Sequence, residues 1–569
     1  MIDKLAAYRR ADAPLPDHNR LWPLYGAGFE SLGHDGQPID VPVPQYGPGE
    51  LLVRHDAVSL CFSDFKVIRA GEQHPRINRD MQADPVVLGH EVTLTVVGVG
   101  EGLRGQYAVG DRFIVQADIF AGGANVAYGY EIQGGQSWYS VIDWRVLDGD
   151  EGSYLIPVRP DTGYAESALT EPWTCVLTAY RLKYRTKVKP GGVLWIIGAG
   201  GKDQPYTIST GFDETSHPDR LWLTNVPVDF ARWLRARAES FGVEVVEVDD
   251  VHAPPASEVD DIVLLGADAD LIEAASPRLG QFCIVAIIAD EPLARKVEVD
   301  VGRVHYNRWL YVGGTDPDVA RAYAGVPARS TLEPGGRAWF VGAGGPMGRL
   351  HVQRAIKALD GPMTILCTAR TGNRLSSVES TYWDDAKANG VMFFCASRAD
   401  SVYHQVVKDV GRAGFDDIMV LAPSPDAIAE AADYLAPGGV MNVFAGIKRG
   451  TMVALDLSDV YLRGVRFIGH SGLTTDSMRI ALRQVESGEF SPNRLVSAVG
   501  SMAAVPDGLR AVRDGAFSGK VVIFLHIKEL PLTPLPDLED RLPSVHAKLQ
   551  DGREWTRAAE EEFLRLMLL

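Results

Sequence analysis

Short apolar runs separated by turn residues fill the first third of the chain. Leu51-Leu52-Val53, Val92-Thr93-Leu94-Thr95-Val96-Val97-Gly98-Val99 and Asp111-Arg112-Phe113-Ile114-Val115 are rich in β-branched residues and predict strands. Leu21-Trp22-Pro23-Leu24-Tyr25 is a candidate first strand within a polar, Pro- and Gly-containing opening over 1–40. Closely spaced strands punctuated by glycine predict a small, partly open barrel. From Val176 to Val188 the pattern turns basic and helix-like.

The middle of the chain repeats itself. Pro190-Gly191-Gly192-Val193-Leu194-Trp195-Ile196-Ile197-Gly198-Ala199-Gly200-Gly201 returns as Pro334-Gly335-Gly336-Arg337-Ala338-Trp339-Phe340-Val341-Gly342-Ala343-Gly344-Gly345. Asp260-Asp261-Ile262-Val263-Leu264-Leu265 returns as Asp416-Asp417-Ile418-Met419-Val420-Leu421, and Leu310-Tyr311-Val312-Gly313-Gly314 as Arg466-Phe467-Ile468-Gly469-His470. Collinear matches of this kind mark one unit present twice. In the second copy, candidate strands at 337–342, 363–368, 391–395, 417–421, 439–444 and 465–468 alternate with helix-period stretches. That alternation predicts a doubly wound parallel sheet of Rossmann type, so the fold class is α/β with two tandem sheets of this kind.

The two glycine-rich turns differ. Gly342-Ala343-Gly344-Gly345-Pro346-Met347-Gly348 opens onto a helix-like stretch, as a dinucleotide-binding turn does. Gly345 lets the backbone approach a pyrophosphate, Gly348 lets the helix pack closely, and Ala343 stands where the usual fingerprint has its first glycine. At the end of the next strand Ala369 occupies the place of the acid that holds a ribose 2′-hydroxyl, with Arg370 and Arg374 following. This favours NADP(H) over NAD(H). In the first copy Gln204 replaces the packing glycine, Asp203 adds a negative charge and Pro205 restricts its neighbour, so tight dinucleotide binding is expected to be lost.

Candidate chemistry lies upstream. Cys61, His90 and Glu171 offer the thiolate, imidazole and carboxylate donors that Zn²⁺ takes, and a catalytic zinc uses three such ligands plus an open position. Taken singly, Cys61 in Val58-Ser59-Leu60-Cys61-Phe62 reads more readily as a small buried hydrophobe than as a ligand. The motifs Cys61-Phe62-Ser63-Asp64, Gly89-His90-Glu91 and Ala168-Leu169-Thr170-Glu171-Pro172-Trp173, in that order, resemble the zinc-dependent medium-chain alcohol/polyol dehydrogenase superfamily. Within it they resemble the sorbose-1-phosphate reductase-like branch, over about residues 40–190 and 333–535. The resemblance implies a GroES-like β-barrel catalytic domain, zinc held by Cys61, His90 and Glu171, and Ser63 as proton relay. It also implies Gly-Pro-Met-Gly as the cofactor turn. Asp64 and Glu91, adjoining the ligands, are expected to orient them and tune their basicity. Residues 100–145 contain no Cys, so a structural zinc of the four-cysteine kind is not expected.

Lys66, Arg69, His74, Arg76 and Arg79 form a mixed-charge stretch with Asp64, Glu72, Asp80 and Asp84, a candidate grip for a phosphorylated sugar. Past Gly472, a helix at 476–486 and a closing strand at 519–524 are expected, with the superfamily pattern returning to the catalytic domain. Residues 531–543 read as a linker, and the tail ending Phe563-Leu564-Arg565-Leu566-Met567-Leu568-Leu569 as a short amphipathic helix beyond the resemblance. The expected organisation is 1–189 catalytic, 190–316 first Rossmann-like unit, 317–473 cofactor-binding unit, 474–535 return segment and 536–569 tail.

Composition narrows the remainder. A net charge of −18 over 569 residues argues against nucleic-acid binding, which needs clustered cations. No apolar run is long enough to span a bilayer, and the start lacks a secretory pattern. Five scattered cysteines, none in a CxxC pair, fit a reducing compartment, and a cytoplasmic location is expected. The expected protein is a zinc- and NAD(P)-dependent alcohol/polyol dehydrogenase or ketose reductase with a small-molecule substrate, assembled as a homodimer or homotetramer. Two other classes stay open: a scaffold built on a dehydrogenase fold, and a zinc-free reductase of enones or quinones.

Overall fold

The computed structural model describes residues 4–181, 183–200, 204–255, 257–325 and 331–569. The chain divides into two units, one comprising 1–178, 345–350 and 472–569, the other 179–344 and 351–471.

The first unit is built on an eight-stranded sheet. Its order runs Leu155–Pro157, Arg112–Val115, Glu91–Val99, Leu51–Ser59, Lys520–Phe524, Val496–Gly500, Thr533–Pro534, with Tyr139–Ile142 also paired to Leu51–Ser59. All nine residues of Leu51–Ser59 are buried, because strands flank it on both edges and side chains cover both faces. Its pairing with Glu91–Val99 slips between Leu52 and Val53 and again between His55 and Ala57. Such bulges bend a sheet and let it curl around a core, here one containing Trp22, Val58, Leu94, Phe113, Tyr128 and Ile523. The α/β class expected from the apolar pattern, a curled strand-rich catalytic unit with two parallel sheets, is the fold observed.

The second unit holds two six-stranded parallel sheets of identical topology. The first runs Glu244–Glu247, Arg220–Thr224, Val193–Gly198, Val259–Leu265, Leu279–Ile288, Leu310–Gly314. The second runs Met392–Ser397, Thr364–Ala369, Arg337–Val341, Phe415–Val420, Leu435–Val443, Arg466–Ile468. Both are doubly wound Rossmann sheets, and all six strands of the second fall on the intervals expected from the apolar pattern. The two copies face each other reciprocally. Val297–Asp300 pairs antiparallel with Met452–Leu455, its counterpart in the other copy. A Cβ on Gly313 would lie 2.6 Å from that of Tyr461, and one on the equivalent Gly469 would lie 2.8 Å from the backbone of His305. His305 and Tyr461 are themselves equivalent positions, so the copies meet about a local pseudo-twofold axis that only glycine backbones can approach.

Three local expectations are corrected. The helix entering the basic stretch is Thr170–Ala179 and stops there, instead of continuing through Val188. Tyr180 donates or accepts at His351 Nδ1 (2.8 Å) and Arg185 reaches Asp261 at 3.0 Å, tertiary partners that an extended chain serves. Residues 531–543 are not a free linker: Leu535 and Leu538 are buried, and Thr533–Pro534 pairs with Val496–Gly500. The first strand is split, His18–Leu21 then Pro23–Leu24, because Trp22 turns inward and donates its indole N–H to Met502 O at 2.8 Å.

Candidate functional site: a buried donor cluster

Strand register explains how distant residues meet. Ser59 pairs with Glu91, and Leu60 N donates to Val521 O at 3.0 Å. Cys61 therefore leaves its strand beside His90, which precedes the neighbouring strand, and beside Lys520 on the opposite edge. The Cys61 sulfur, a His90 ring nitrogen and a Glu91 carboxylate oxygen lie within 4.8 Å of one another.

Asp64 ties two of these together. It is 1% exposed, in the first turn of the helix Phe62–Ala70; one oxygen accepts from Cys61 N (3.0 Å) and the other from His90 Nδ1 (3.1 Å). The ring's Nε2 is then the nitrogen left for a metal. Burial works against the imidazolium, yet Asp64 holds the His90 pKa well above its usual value. Tyr130 lies 5.9 Å from the His90 ring, and its own hydroxyl is pushed up to about 12 by burial.

Glu91 is 1% exposed and forms an ion pair with Lys520, itself 5% side-chain exposed, while the other Glu91 oxygen has no partner. Burial opposes the Lys520 charge, but Glu91 and then Cys61 hold its pKa above the ordinary lysine value. Glu171, on Thr170–Ala179, stands beside this group and outside the 4.8 Å cluster. Burial first, then the Glu91 charge, push its carboxyl up to about 7. One turn on, the Cys175 thiol points at Glu171 Oε1 (3.8 Å). Ser63 is half-buried at the second position of the helix that follows Cys61.

Lys520 and Cys175 escaped sequence reasoning. A lysine heading the apolar run Val521-Val522-Ile523-Phe524 was the available signal, since a buried Lys requires a buried partner.

Within the expected phosphate-gripping stretch, Arg76 pairs with Asp118 (2.7 Å) and Arg79 with Asp84 and Glu131 (2.9 and 3.1 Å). Burial, then Arg76 and Lys66, push His74 down to about 4, and the His74 ring lies 5.6 Å from that of Tyr130.

The cofactor-turn residues occupy a strand–turn–helix. Gly342 has φ +92 and a Cβ there would meet Ala422 at 2.9 Å, so the turn admits only glycine. A Cβ on Gly344 would meet Arg374 Cβ at 2.9 Å, whereas one on Gly345 meets nothing within 4 Å. Gly345 thus lines open space at the entrance to the helix Pro346–Lys357, which holds Pro346, Met347 and the buried Gly348. Ala369 ends its strand, Arg370 is exposed, and Arg374 lies in the first turn of Gly372–Ala388. In the first copy, Asp203 lies outside the described residues. From Gln204 onward no helix follows the turn; Tyr206, Ile208 and Phe212 pack into the core instead.

The family model described as the alcohol dehydrogenase GroES-like domain matches residues 47–149. Mannitol-1-phosphate 5-dehydrogenase of Aliivibrio fischeri is 28% identical over 301 residues, 48% of this chain and 69% of that protein. L-sorbose 1-phosphate reductase of Klebsiella pneumoniae is 20% identical over 526 residues, 92% of this chain and 93% of its own length. The chain carries an alcohol dehydrogenase GroES-like domain and is similar to medium-chain dehydrogenases. It is an enzyme of the alcohol/polyol dehydrogenase kind. The fold agrees: the crystal structure of 2R,3R-butanediol dehydrogenase from Bacillus subtilis superposes with a TM-score of 0.51 at 16% identity, covering 89% of this chain and 99% of that one. No helix among the described residues is long and apolar enough to cross a membrane.

Proposed function

We propose that this dehydrogenase is zinc-dependent and NADP(H)-linked, and interconverts a secondary alcohol and a ketone on a sugar or polyol phosphate. The observation carrying the reading is the convergence of donors from half-buried Cys61 and buried His90 and Glu91, with Glu171 alongside. The residues fit a divalent cation. Sulfur, imidazole nitrogen and carboxylate oxygen are zinc's donor types, and one Glu91 oxygen is buried without a partner. Glu91 and Glu171 lie close enough for the Glu91 charge to raise the Glu171 pKa, a pairing of buried carboxylates that a bound cation would relieve.

Cys61, His90 and Glu171 would hold the metal; Glu91, already paired with Lys520, tunes the charge around it. Bound there, zinc supplies Lewis-acid polarisation of the substrate oxygen. Asp64 fixes the His90 ring and the Cys61 backbone, so the donors are oriented before the ion arrives. Ser63, two residues past Cys61, would exchange the substrate hydroxyl proton. The open side of Gly345 and the helix start behind it would receive the cofactor pyrophosphate. Arg370 and Arg374 near Ala369 would meet a 2′-phosphate. Lys66, beside His74 and Arg76, supports a phosphorylated substrate, as do the names of the two relatives above.

A panel of sugar alcohols and their phosphates, run with both nicotinamide cofactors, tests the proposal. Expected is turnover with NADP(H) that a chelator removes and zinc restores, with Lys66→Ala raising KM for the phosphorylated substrate about tenfold or more. Turnover indifferent to chelation would instead identify a zinc-free reductase.

A further inference from the structure

The C-terminal helix Arg557–Met567 holds the start of the short helix Tyr164–Ala168, which leads into the helix that carries Glu171. We propose that the C-terminal helix Arg557–Met567 is a positioning device for the metal site, with Glu560 and Arg557 as its positioning residues. The inference rests on the reading of Glu171 as a zinc ligand.

The helix leading to Glu171 begins at Tyr164; its N-cap Gly163 has no side chain to accept from the first turn, and local capping is limited to Glu166 accepting from Gly163 N. The first N–H groups of a helix have no carbonyl of their own. Here Glu560, only 4% exposed, supplies the missing acceptor, taking Tyr164 N at 2.5 Å and Ala165 N at 2.9 Å. Arg557 forms an ion pair with Glu166, whose two oxygens also accept from Gly163 N (2.7 Å) and Asn493 Nδ2 (3.0 Å). From this anchor a single turn at Leu169 leads from Tyr164–Ala168 into the helix that carries Glu171. Leu169 N reaches Ala165 O (2.9 Å), Thr170 Oγ1 reaches Glu166 O (2.9 Å) and Trp173 N reaches Leu169 O (3.3 Å), carrying the fixed start into Thr170–Ala179. Trp173 is stacked on Phe490 at 3.6 Å, so the segment bearing Glu171 is held on both sides of that residue.

The same tail reaches the strand that supplies Lys520. Phe563 and Trp555 pack on Phe524 with centroids 5.1 and 6.0 Å apart, and Lys528 N donates to Met567 O at 2.8 Å just beyond that strand. One terminal element thus braces both the segment that leads to Glu171 and the strand that supplies Lys520. Docking of the tail and binding of the metal should be coupled, and by linkage each must strengthen the other equally.

Two readouts on full-length protein test this. Hydrogen exchange of the 557–567 peptide is compared in zinc-loaded and chelator-stripped wild type, and zinc affinity is measured by chelator competition in Glu560→Gln, Arg557→Ala and Glu561→Gln. Glu561 belongs to the same helix but pairs with Arg9 (2.9 Å), away from the Glu171 helix. Expected are slower tail exchange with zinc, affinity lowered about tenfold or more in Glu560→Gln and Arg557→Ala, and no change in Glu561→Gln. A generic staple would leave tail exchange indifferent to zinc and all three affinities alike, and that result overturns the proposal. Should Glu560→Gln fail to fold, Arg557→Ala and the wild-type exchange comparison decide. Wild type that takes up no zinc at all would sink the metal reading itself, an outcome distinct from zinc bound normally with an uncoupled tail.

Discussion

At the scale of the residue, a few buried charges define the site. Lys520 is the one cation paired with Glu91 inside a group that also holds Glu171 and Cys61. Removing one partner of a buried pair leaves the other uncompensated. Lys520→Met is therefore expected to lower stability by about 3 kcal/mol or more in chemical unfolding, while Lys520→Arg retains most of it. Cys61, His90 and Asp64 were legible because their motif chemistry is local: a carboxylate three residues past the thiol reaches both its backbone and the imidazole. Lys520 was not, because its partner lies 429 residues away and only strand pairing joins them. A second buried residue sets an acid response. His55 is held neutral among Ser137, Tyr128 and Ser140, and burial pushes its pKa from 6.5 down to about 4. A depressed folded pKa means that the unfolded chain takes the proton first. This contribution is thus present above pH 6.5 and is lost as the pH falls toward 4, roughly 3 kcal/mol in all. Unfolding midpoints between pH 7 and 4 should show that slope, and His55→Gln should flatten it.

At the scale of the element, periodicity served well where the chain pairs with near neighbours. The strands of the second Rossmann copy are apolar runs bounded by Gly and Pro, and the structure places them as expected. The pattern misled where tertiary partners override it. The basic stretch after Ala179 leaves the helix so that Arg185 can meet Asp261, and the Pro-rich 531–543 segment folds down because Leu535 and Leu538 find core positions. The glycine turns show the same division. Gly342-Ala343-Gly344-Gly345 leads into a helix, whereas from Gln204 the first copy's chain is irregular, in keeping with the Gln204 and Pro205 that replace the helix-opening pattern there. Because a Cβ on Gly345 meets no protein atom within 4 Å, Gly345→Ala should leave the melting temperature unchanged. It should weaken NADP(H) binding about tenfold in a fluorescence titration, since the methyl group would fill the space a pyrophosphate needs.

At the scale of the whole chain, duplication explains why two Rossmann sheets share one core. Val297–Asp300 and Met452–Leu455 pair across the pseudo-twofold axis, and Gly313 and Gly469 admit Tyr461 and His305 in turn. The repeat itself was legible as three collinear matches; the reciprocal packing was not, because it depends on glycine backbones meeting bulky side chains far along the chain. Gly469→Val should cost about 2 kcal/mol in thermal unfolding, its new side chain driven against His305. With its first turn leading into no helix, the first copy is expected to add no second nucleotide site, leaving one metal and one cofactor per chain. Elemental analysis of purified wild type beside Cys61→Ser tests the central claim most directly. The expected result is about one zinc per wild-type chain and close to none in the variant, with activity lost in parallel. An active wild-type protein free of zinc, or a Cys61→Ser protein that keeps both its zinc and its turnover, would contradict it.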